Sequence, residues 1–411
     1  MNILSSTNHK AVDRLLGRST GNSRQIAASV ASIVSAVRRR GDAALLQYAR
    51  RFDSLEGDLE VSREEIEEQA VRVPPKIRAA LAAAARNIDK VARRQRPQGW
   101  TVHPQPGLTV EQRVTPLDRV GCYVPGGRYP LPSSLLMTAI PARAAGVREV
   151  IVACPRPEPV VMAAARTAGI TRLFRMGGAQ AIAALAYGTK TVPRVDKIVG
   201  PGNQYVAAAK ALVAADCAID FYAGPSEIVV ASDHGNADWI AADLIAQAEH
   251  DPQARAILIT TKRQLARRVA RAVAAQMPAT GPARESLARN GGIIIAADRQ
   301  EAIDLANRAA AEHLVCDDDR FAASVRAAGS IFVGRYTAQV AGDYAIGSNH
   351  VLPTNGAARF RGGLHTADFV RISTVQRMTR GGLKTLAPTI TTLARQEGLE
   401  AHARSIEVRL R

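Results

Sequence analysis

Short aliphatic runs alternate with alanine-rich stretches through the middle of this 411-residue sequence, and that alternation restricts the fold more than any other feature. Val150-Ile151-Val152-Ala153 and Lys197-Ile198-Val199 are β-like runs, each followed by an alanine-rich segment of helical character. Strands and helices that alternate in this way bury their apolar faces when the strands run parallel and the helices cover the sheet. A second series has strand-like runs at Glu227 to Ala231, Ala256 to Thr260 and Gly292 to Ala296, with helical stretches at Asn236 to Glu249 and Arg299 to Ala311. The sequence therefore predicts an α/β protein with two Rossmann-like parallel-sheet domains rather than one large sheet. Hydrophobic residues make up 47% and aromatic residues only 4%, which favours helices packed closely on sheets over an aromatic-rich β-sandwich.

The flanks read differently. From about Ile26 to Ala92 the pattern is mostly helical, with Ala28, Val30, Ile33, Val34 and Val37 at helical spacing and Pro74-Pro75 marking a break. Between Pro97 and Pro116 the chain is irregular and Pro-rich, with Thr109-Val110 as a short strand candidate, and a domain boundary is expected near the apolar run Val120 to Val124. After Gly363 the alternation stops. Gly381 to Arg411 reads as helical, with Leu383, Leu386, Ile390, Leu393 and Leu399 as its apolar stripe. So short a piece builds no core of its own and is expected to pack on another domain or another subunit.

The formal net charge of +17 raises the question of an anionic partner. The basic residues are scattered along helices, and the densest clusters are Arg38-Arg39-Arg40 and Arg93-Arg94-Gln95-Arg96. A solvated basic surface accounts for this distribution better than a nucleic-acid footprint, which needs a clustered stripe. The tail from Arg359 to Arg411 holds ten basic and four acidic residues, +6 of the total. Cys122, Cys154, Cys217 and Cys316 are widely separated and form no CxxC pair, so reduced, buried thiols are expected. No apolar stretch reaches signal-peptide or membrane-span length, which gives a cytoplasmic expectation with no membrane partner.

Several polar segments carry candidate chemistry. At Gly177-Gly178-Ala179-Gln180 and Gly200-Pro201-Gly202-Asn203 a strand ends in glycines and a helix begins. Each is either a phosphate cradle at a helix N-terminus or a plain strand-to-helix turn, and neither is the GxGxxG fingerprint. Gln247 and His250 stand three apart at the end of a predicted helix, so they share a face that could grip one ion. Glu249 is the better ligand type but lies about 100° from His250 around the helix. A capping or surface histidine is the rival reading. Glu312-His313 precedes Leu314-Val315, and an acid beside an imidazole can serve two proton transfers or form only a surface polar pair. Asp343 sits in Gly342-Asp343-Tyr344, ahead of the polar loop Gly347-Ser348-Asn349-His350, and His402 follows Glu397 by five residues.

Taken together, these segments resemble the histidinol dehydrogenase family from about Arg119 to His402. The most specific pieces are Tyr123-Val124-Pro125-Gly126-Gly127 with Pro132-Ser133-Ser134, Gly200-Pro201-Gly202-Asn203, and Ala223-Gly224-Pro225-Ser226-Glu227. Gln247 to His250, Glu312-His313-Leu314, Gly342-Asp343-Tyr344 and Asn349-His350-Val351-Leu352-Pro353-Thr354 complete the pattern. The resemblance implies oxidation of L-histidinol to L-histidine through the aldehyde with two NAD⁺, the last step of histidine biosynthesis. It also implies one zinc per subunit, held by Gln247, His250, Asp343 and His402. His313 would take the alcohol proton and Glu312 would activate the attacking water. Ser226 and Glu397 match substrate-contacting positions, as do His313 and the four zinc ligands. Tyr123, Gln180 and Asn203 match positions that contact NAD. Cys122 offers a thiohemiacetal alternative to which the family pattern gives no role.

The resemblance further implies a homodimer whose C-terminal pieces cross over, so that Glu397 and His402 complete the other chain's site. The expected division is an N-terminal extension over 1–22, a discontinuous α/β domain over 23–122 plus 227–362, an NAD-binding α/β domain over 123–226, and a helical extension over 363–411. The net charge leaves room for a related NAD-dependent dehydrogenase of another small, anionic alcohol, but the presence of both Glu397 and His402 favours histidinol.

Overall fold

Successive side chains along the central strands are buried in alternate cores, so both faces of each sheet are covered. The computed structural model describes residues 1–17, 24–126, 129–222 and 224–411. Within it, Val150 and Val152 enter one core while Ile151 and Ala153 enter another. Likewise Ile228 and Val230 face one helical layer while Val229 and Ala231 face the opposite one. Strands buried on both sides need near-continuous aliphatic sequence, the property that made them visible as runs.

Among the described residues, the first sheet has six parallel strands in the order Asn2–Ser5, Gly291–Ile295, Arg255–Thr260, Glu227–Ala231, His313–Cys316, Ser330–Val333. The second runs Glu60–Val61, Arg172–Phe174, Glu149–Ala153, Arg119–Tyr123, Lys197–Val199, Ala218–Ile219, and only Glu60–Val61 is antiparallel. Apart from the edge strands Asn2–Ser5 and Glu60–Val61, which come first in sequence, each sheet is built from a central strand along one flank before the chain crosses to the other. The strand order therefore reverses beside Glu227–Ala231 and beside Arg119–Tyr123. The α/β class and its two parallel-strand sheets are as expected.

The boundaries are not. The strand Asn2–Ser5 is an edge of the first sheet, and Val12 and Leu16 of the following helix enter that sheet's core, so the N-terminal residues are part of a domain rather than an extension. The helices Arg24–Arg40, Asp42–Asp53, Arg63–Arg72 and Pro75–Gln95 cover the second sheet: Val30, Val34 and Leu45 enter its core on one face, Ile66, Leu81 and Ile88 on the other. The helices between 24 and 95 and the strand Arg119–Tyr123 thus belong with 123–226 and not with 227–362; the expected boundary at 22/23 lies outside the described residues. The tail is not purely helical either. Val370–Met378 pairs antiparallel with Leu108–Pro116, which extends the Thr109-Val110 candidate to nine residues, and Trp100–Val102 completes a third, small sheet. The helices Arg380–Gln396 and Glu400–Glu407 follow. No helix among the described residues is long and apolar enough to cross a membrane.

One buried ion pair ties the second sheet together. Lys210 Nζ lies 2.5 Å from Asp220 Oδ1 and donates to Gly200 O at 2.8 Å, while Asp220 Oδ2 accepts from Gly200 N at 2.8 Å. Both side chains are at most 2% exposed. Removing one partner strands the other charge in the core, so Lys210→Met should cost about 3–5 kcal/mol of unfolding free energy in urea titrations. Lys210→Met/Asp220→Leu should be less damaging than Lys210→Met alone; equal damage would mean that the uncompensated charge is not the cause.

Candidate active site

Parallel pairing aligns Ile228 with His313, which sets the backbone of Glu227 beside Glu312 and His313. The Glu227 N–H donates to Glu312 Oε2 at 2.8 Å, and the Glu227 carbonyl lies 3.2 Å from His313 Nδ1. A carbonyl only accepts, so Nδ1 carries a hydrogen and Nε2 is left as the atom that gains or loses a proton. Nε2 lies 3.4 Å from Asp343 Oδ1, and Nδ1 lies 3.7 Å from Glu312 Oε2. Glu312 and His313 are buried. Burial pushes Glu312 up to about 7 against the opposing pull of His313 and the Glu227 N–H. Burial alone would lower His313, but the Glu312 and Asp343 carboxylates outweigh it and raise the imidazole to about 9. The pair is thus a buried, electrostatically coupled acid and imidazole rather than a surface polar pair.

The helix Ala237–Ala248 starts where the Asn236 side chain accepts from Asp238 N and Trp239 N, and it ends with Glu249 as its C-cap, within one residue of the expected end. Gln247 is in its last turn, 1% exposed, and among the described residues its Oε1 has no hydrogen-bond partner. His250 is exposed and lies beyond the helix end, with its N–H directed at Gln247 O over 3.4 Å. A shared helical face is therefore not what relates them; the turn that ends the helix is. Glu249 is the exposed C-cap.

Asp343 lies in the short helix Val340–Tyr344, with its carbonyl 2.9 Å from His350 Nδ1. His350 Nε2 lies 3.4 Å from Ser134 Oγ. Burial lowers His350, Asp343 opposes this, and His313 and His250 add to the lowering, so these groups act on one another. Sequence reasoning did not assign Ser134 or His350 to the site. Their only signal was membership of Pro132-Ser133-Ser134 and of the polar loop Gly347 to His350. Ser226 lies just before the strand Glu227–Ala231, its carbonyl accepting from Arg255 N at 2.9 Å.

A second cluster sits at the glycine turns of the second sheet. Gly177 N and Gln180 Nε2 donate to Asp53 Oδ2 at 2.9 and 3.0 Å, and Gly178 N donates to Tyr123 Oη at 3.1 Å. Tyr123 and Gln180 are thus brought together, both buried. Asn203 caps the helix Gln204–Val213 through bonds from Tyr205 N and Val206 N. The amides a phosphate would use at Gly177, Gly178 and Gly200 are met by Asp53, Tyr123 and Asp220, which favours the strand-to-helix reading of both turns over a simple phosphate cradle. Burial raises the Asp53 carboxyl and pushes the Cys122 thiol up to about 12, which leaves Cys122 a poor nucleophile. Gly127 and Ala223 of the quoted motifs lie outside the described residues.

A family model described as histidinol dehydrogenase matches residues 16–410. The chain belongs to that family. A histidinol dehydrogenase from Geobacter sulfurreducens is 46% identical over 414 residues, covering 97% of this chain and 96% of its own. One from Methanothermobacter thermautotrophicus is 45% identical, with 98% of each chain covered. The crystal structure of histidinol dehydrogenase from Elizabethkingia anophelis superposes with a TM-score of 0.94 at 32% identity, covering 100% of this chain and 98% of that one. The family extends well upstream of Arg119, where the motif resemblance began.

For a histidinol dehydrogenase, the donor set can be tested against a zinc ion. Gln247 Oε1 is a buried oxygen acceptor left without a partner, which is costly unless something binds it. With the imidazole of His250 and the carboxylate of Asp343 it makes an oxygen and nitrogen set that suits zinc. Among the described residues no group of three His, Cys, Asp or Glu side chains forms a metal cage within one chain. Glu397 and His402 are exposed on the tail, and among the described residues the ion-pair partners of His313 and Asp343 do not include them. The residues fit the ion, with a donor to be added from elsewhere.

Asp243, one turn before Gln247, supplies a test by pH. Burial raises its carboxyl from 3.8 to about 6. A raised carboxyl favours the protonated folded state, so its stabilisation is present below pH 4 and is lost as pH climbs through about 6. Asp243→Asn removes that loss. The variant should gain roughly 1–3 kcal/mol at pH 8 and nothing at pH 3.5, read as Tm against pH; a pH-independent difference would contradict the assignment.

Proposed function

We propose that this chain oxidises L-histidinol to L-histidine through the aldehyde, the last step of histidine biosynthesis, as a homodimer whose C-terminal segments complete each other's sites. The buried Glu312-His313 pair, aligned by the Glu227 backbone, is the observation that carries this reading in a chain of this family. Zinc would be held by Gln247, His250, Asp343 and His402 of the partner subunit, and its contribution would be to fix the substrate's orientation. NAD⁺ would accept a hydride in each of the two oxidations and would lie against the turns carrying Tyr123, Gln180 and Asn203.

His313 takes the hydroxyl proton at Nε2, because Nδ1 is committed to the Glu227 carbonyl. Asp343, when it serves as a metal ligand, no longer holds that proton as strongly, so the imidazole returns toward the range where it accepts one at neutral pH. Glu312, with burial raising its carboxyl, takes a proton from the water that adds to the aldehyde. The two proton transfers involve different oxygens, which is the reason for two groups. Ser226 contacts the substrate, and so does Glu397 of the partner subunit. Asp53 holds Gln180 and the Gly177 turn in place from beneath.

Purified protein with zinc, NAD⁺ and L-histidinol should form two NADH per substrate; oxidation of only some other alcohol would sink the proposal. Glu312→Gln should move the yield toward one NADH per histidinol with aldehyde trapped by semicarbazide, whereas His313→Gln should lower kcat for the first step by about 10²- to 10⁴-fold. Chelation should abolish turnover and added zinc restore it. His250→Ala should lose zinc, by elemental analysis, more readily than Glu249→Gln. A chain ending at Leu386 should lose both bound zinc and activity, and full activity in that truncation would rule out the shared site.

A further inference from the structure

A cavity of about 190 Å³ lies outside the candidate active site, lined by three arginines from three different elements together with Gly17, Asn355 and Gly356. Arg255 begins a central strand of the first sheet, Arg308 sits in the last turn of Arg299–Ala309, and Arg359 ends the short turn Ala357–Arg359. Each guanidinium is steadied by a neighbouring group, mostly by backbone carbonyls of the cavity rim. Arg255 Nη2 donates to Gly17 O at 2.7 Å, Arg359 Nη1 donates to Gly356 O at 3.2 Å, Arg359 Nη2 donates to Arg308 O, and Arg308 pairs with Asp13.

The charges around this cavity do not balance. Against the three arginines stand two carboxylates: Asp13 on Arg308, and Glu227, whose Oε1 lies 3.7 Å from Arg255 Nη1 and also accepts from Asn355 N at 3.2 Å. Arg359 forms no ion pair among the described residues. Each guanidinium carries five N–H donors, far more than these acceptors use. Arg308 and Arg359 are exposed and Arg255 half-buried, so the space opens to solvent; with room for several water molecules at about 30 Å³ each and spare forked donors around it, it suits an acceptor-only ligand with more than two oxygens. A planar carboxylate satisfies one fork; a tetrahedral dianion satisfies three approaching from different directions. We propose that Arg255, Arg308 and Arg359 form a binding site for a phosphate group, either free phosphate or a small phosphomonoester. The site is distinct from the catalytic one. Glu227 separates them: its backbone holds Glu312 and His313, while its carboxylate faces Arg255.

Isothermal titration of the full-length protein at low salt, with inorganic phosphate, glycerol 3-phosphate and acetate as probes, tests this directly. Saturable binding of a phosphate probe at one site per chain, with acetate at least tenfold weaker, is expected. Tighter binding of glycerol 3-phosphate would mark a phosphomonoester as the ligand, and tighter binding of inorganic phosphate would mark the free ion. Arg308→Gln/Arg359→Gln should weaken the phosphate affinity at least tenfold while Tm without phosphate and NADH formation stay unchanged. Arg359→Lys, which keeps the charge and loses the fork, should fall between. No saturable heat with either phosphate probe, or affinity unchanged in the Gln and Lys variants, would overturn the site.

Discussion

The register between Glu227–Ala231 and His313–Cys316 is the constraint on which the candidate site depends. Because Ile228 pairs with His313, the Glu227 peptide falls where its N–H meets Glu312 and its carbonyl meets His313 Nδ1. Side-chain direction alternates along a strand, so a slip of one residue would turn His313 into the opposite layer and drive Leu314 toward Asp343. The aliphatic residues on both faces prevent this, since every one of them would change core at once. Core packing and proton chemistry are thus fixed by the same hydrogen-bond ladder. The site also lies at the start of these strands, whereas ligands of open α/β sheets gather beyond the strands' carboxyl ends.

What fills those carboxyl ends explains the choice. In the first sheet Asp317 accepts from Ser232 Oγ at 2.5 Å, Asp233 N at 2.7 Å and His234 N at 3.2 Å, closing the point of strand reversal with a negative charge. A dinucleotide's phosphates would meet repulsion there. In the second sheet Asp53 and Asp220 accept from the glycine amides, so its turns too are stabilised by internal carboxylates. The proposed contacts through Tyr123, Gln180 and Asn203 accordingly rest on side chains and loop shape more than on a phosphate cradle.

Strand positions were legible because doubly buried strands must be aliphatic throughout, and the motifs were legible because ordered polar segments are rare in such a background. Domain membership was not. The helices between Arg24 and Gln95 are amphipathic, and an apolar stripe says that a helix is covered without saying by which sheet. Asn2–Ser5 is four residues long and largely exposed, so it carried no burial pattern to read. Leu108–Pro116 and Val370–Met378 pair antiparallel with their side chains mostly exposed or half-buried, and their polar sequences resemble loops. Ser134 and His350 meet across 216 residues, and only the folded chain reveals such a contact.

The C-terminal stripe argues for the proposed crossing on physical grounds. Only Gly382, Ala387 and Ala394 of Arg380–Gln396 are buried, while Leu393 and Leu399 are 58% and 41% exposed. The small sheet beside this segment in sequence leaves Trp100, Val102, Ile372 and Met378 exposed as well. Leu383, Leu386 and Ile390 are half-buried, so the stripe is only partly covered within one chain and leaves apolar surface for a partner. At the other end of the problem, Gln247 Oε1 is a buried acceptor that no donor among the described residues meets. Docking the tail of a second chain over the first would address both deficits, covering the apolar stripe and bringing an imidazole to a donor set that one chain leaves incomplete.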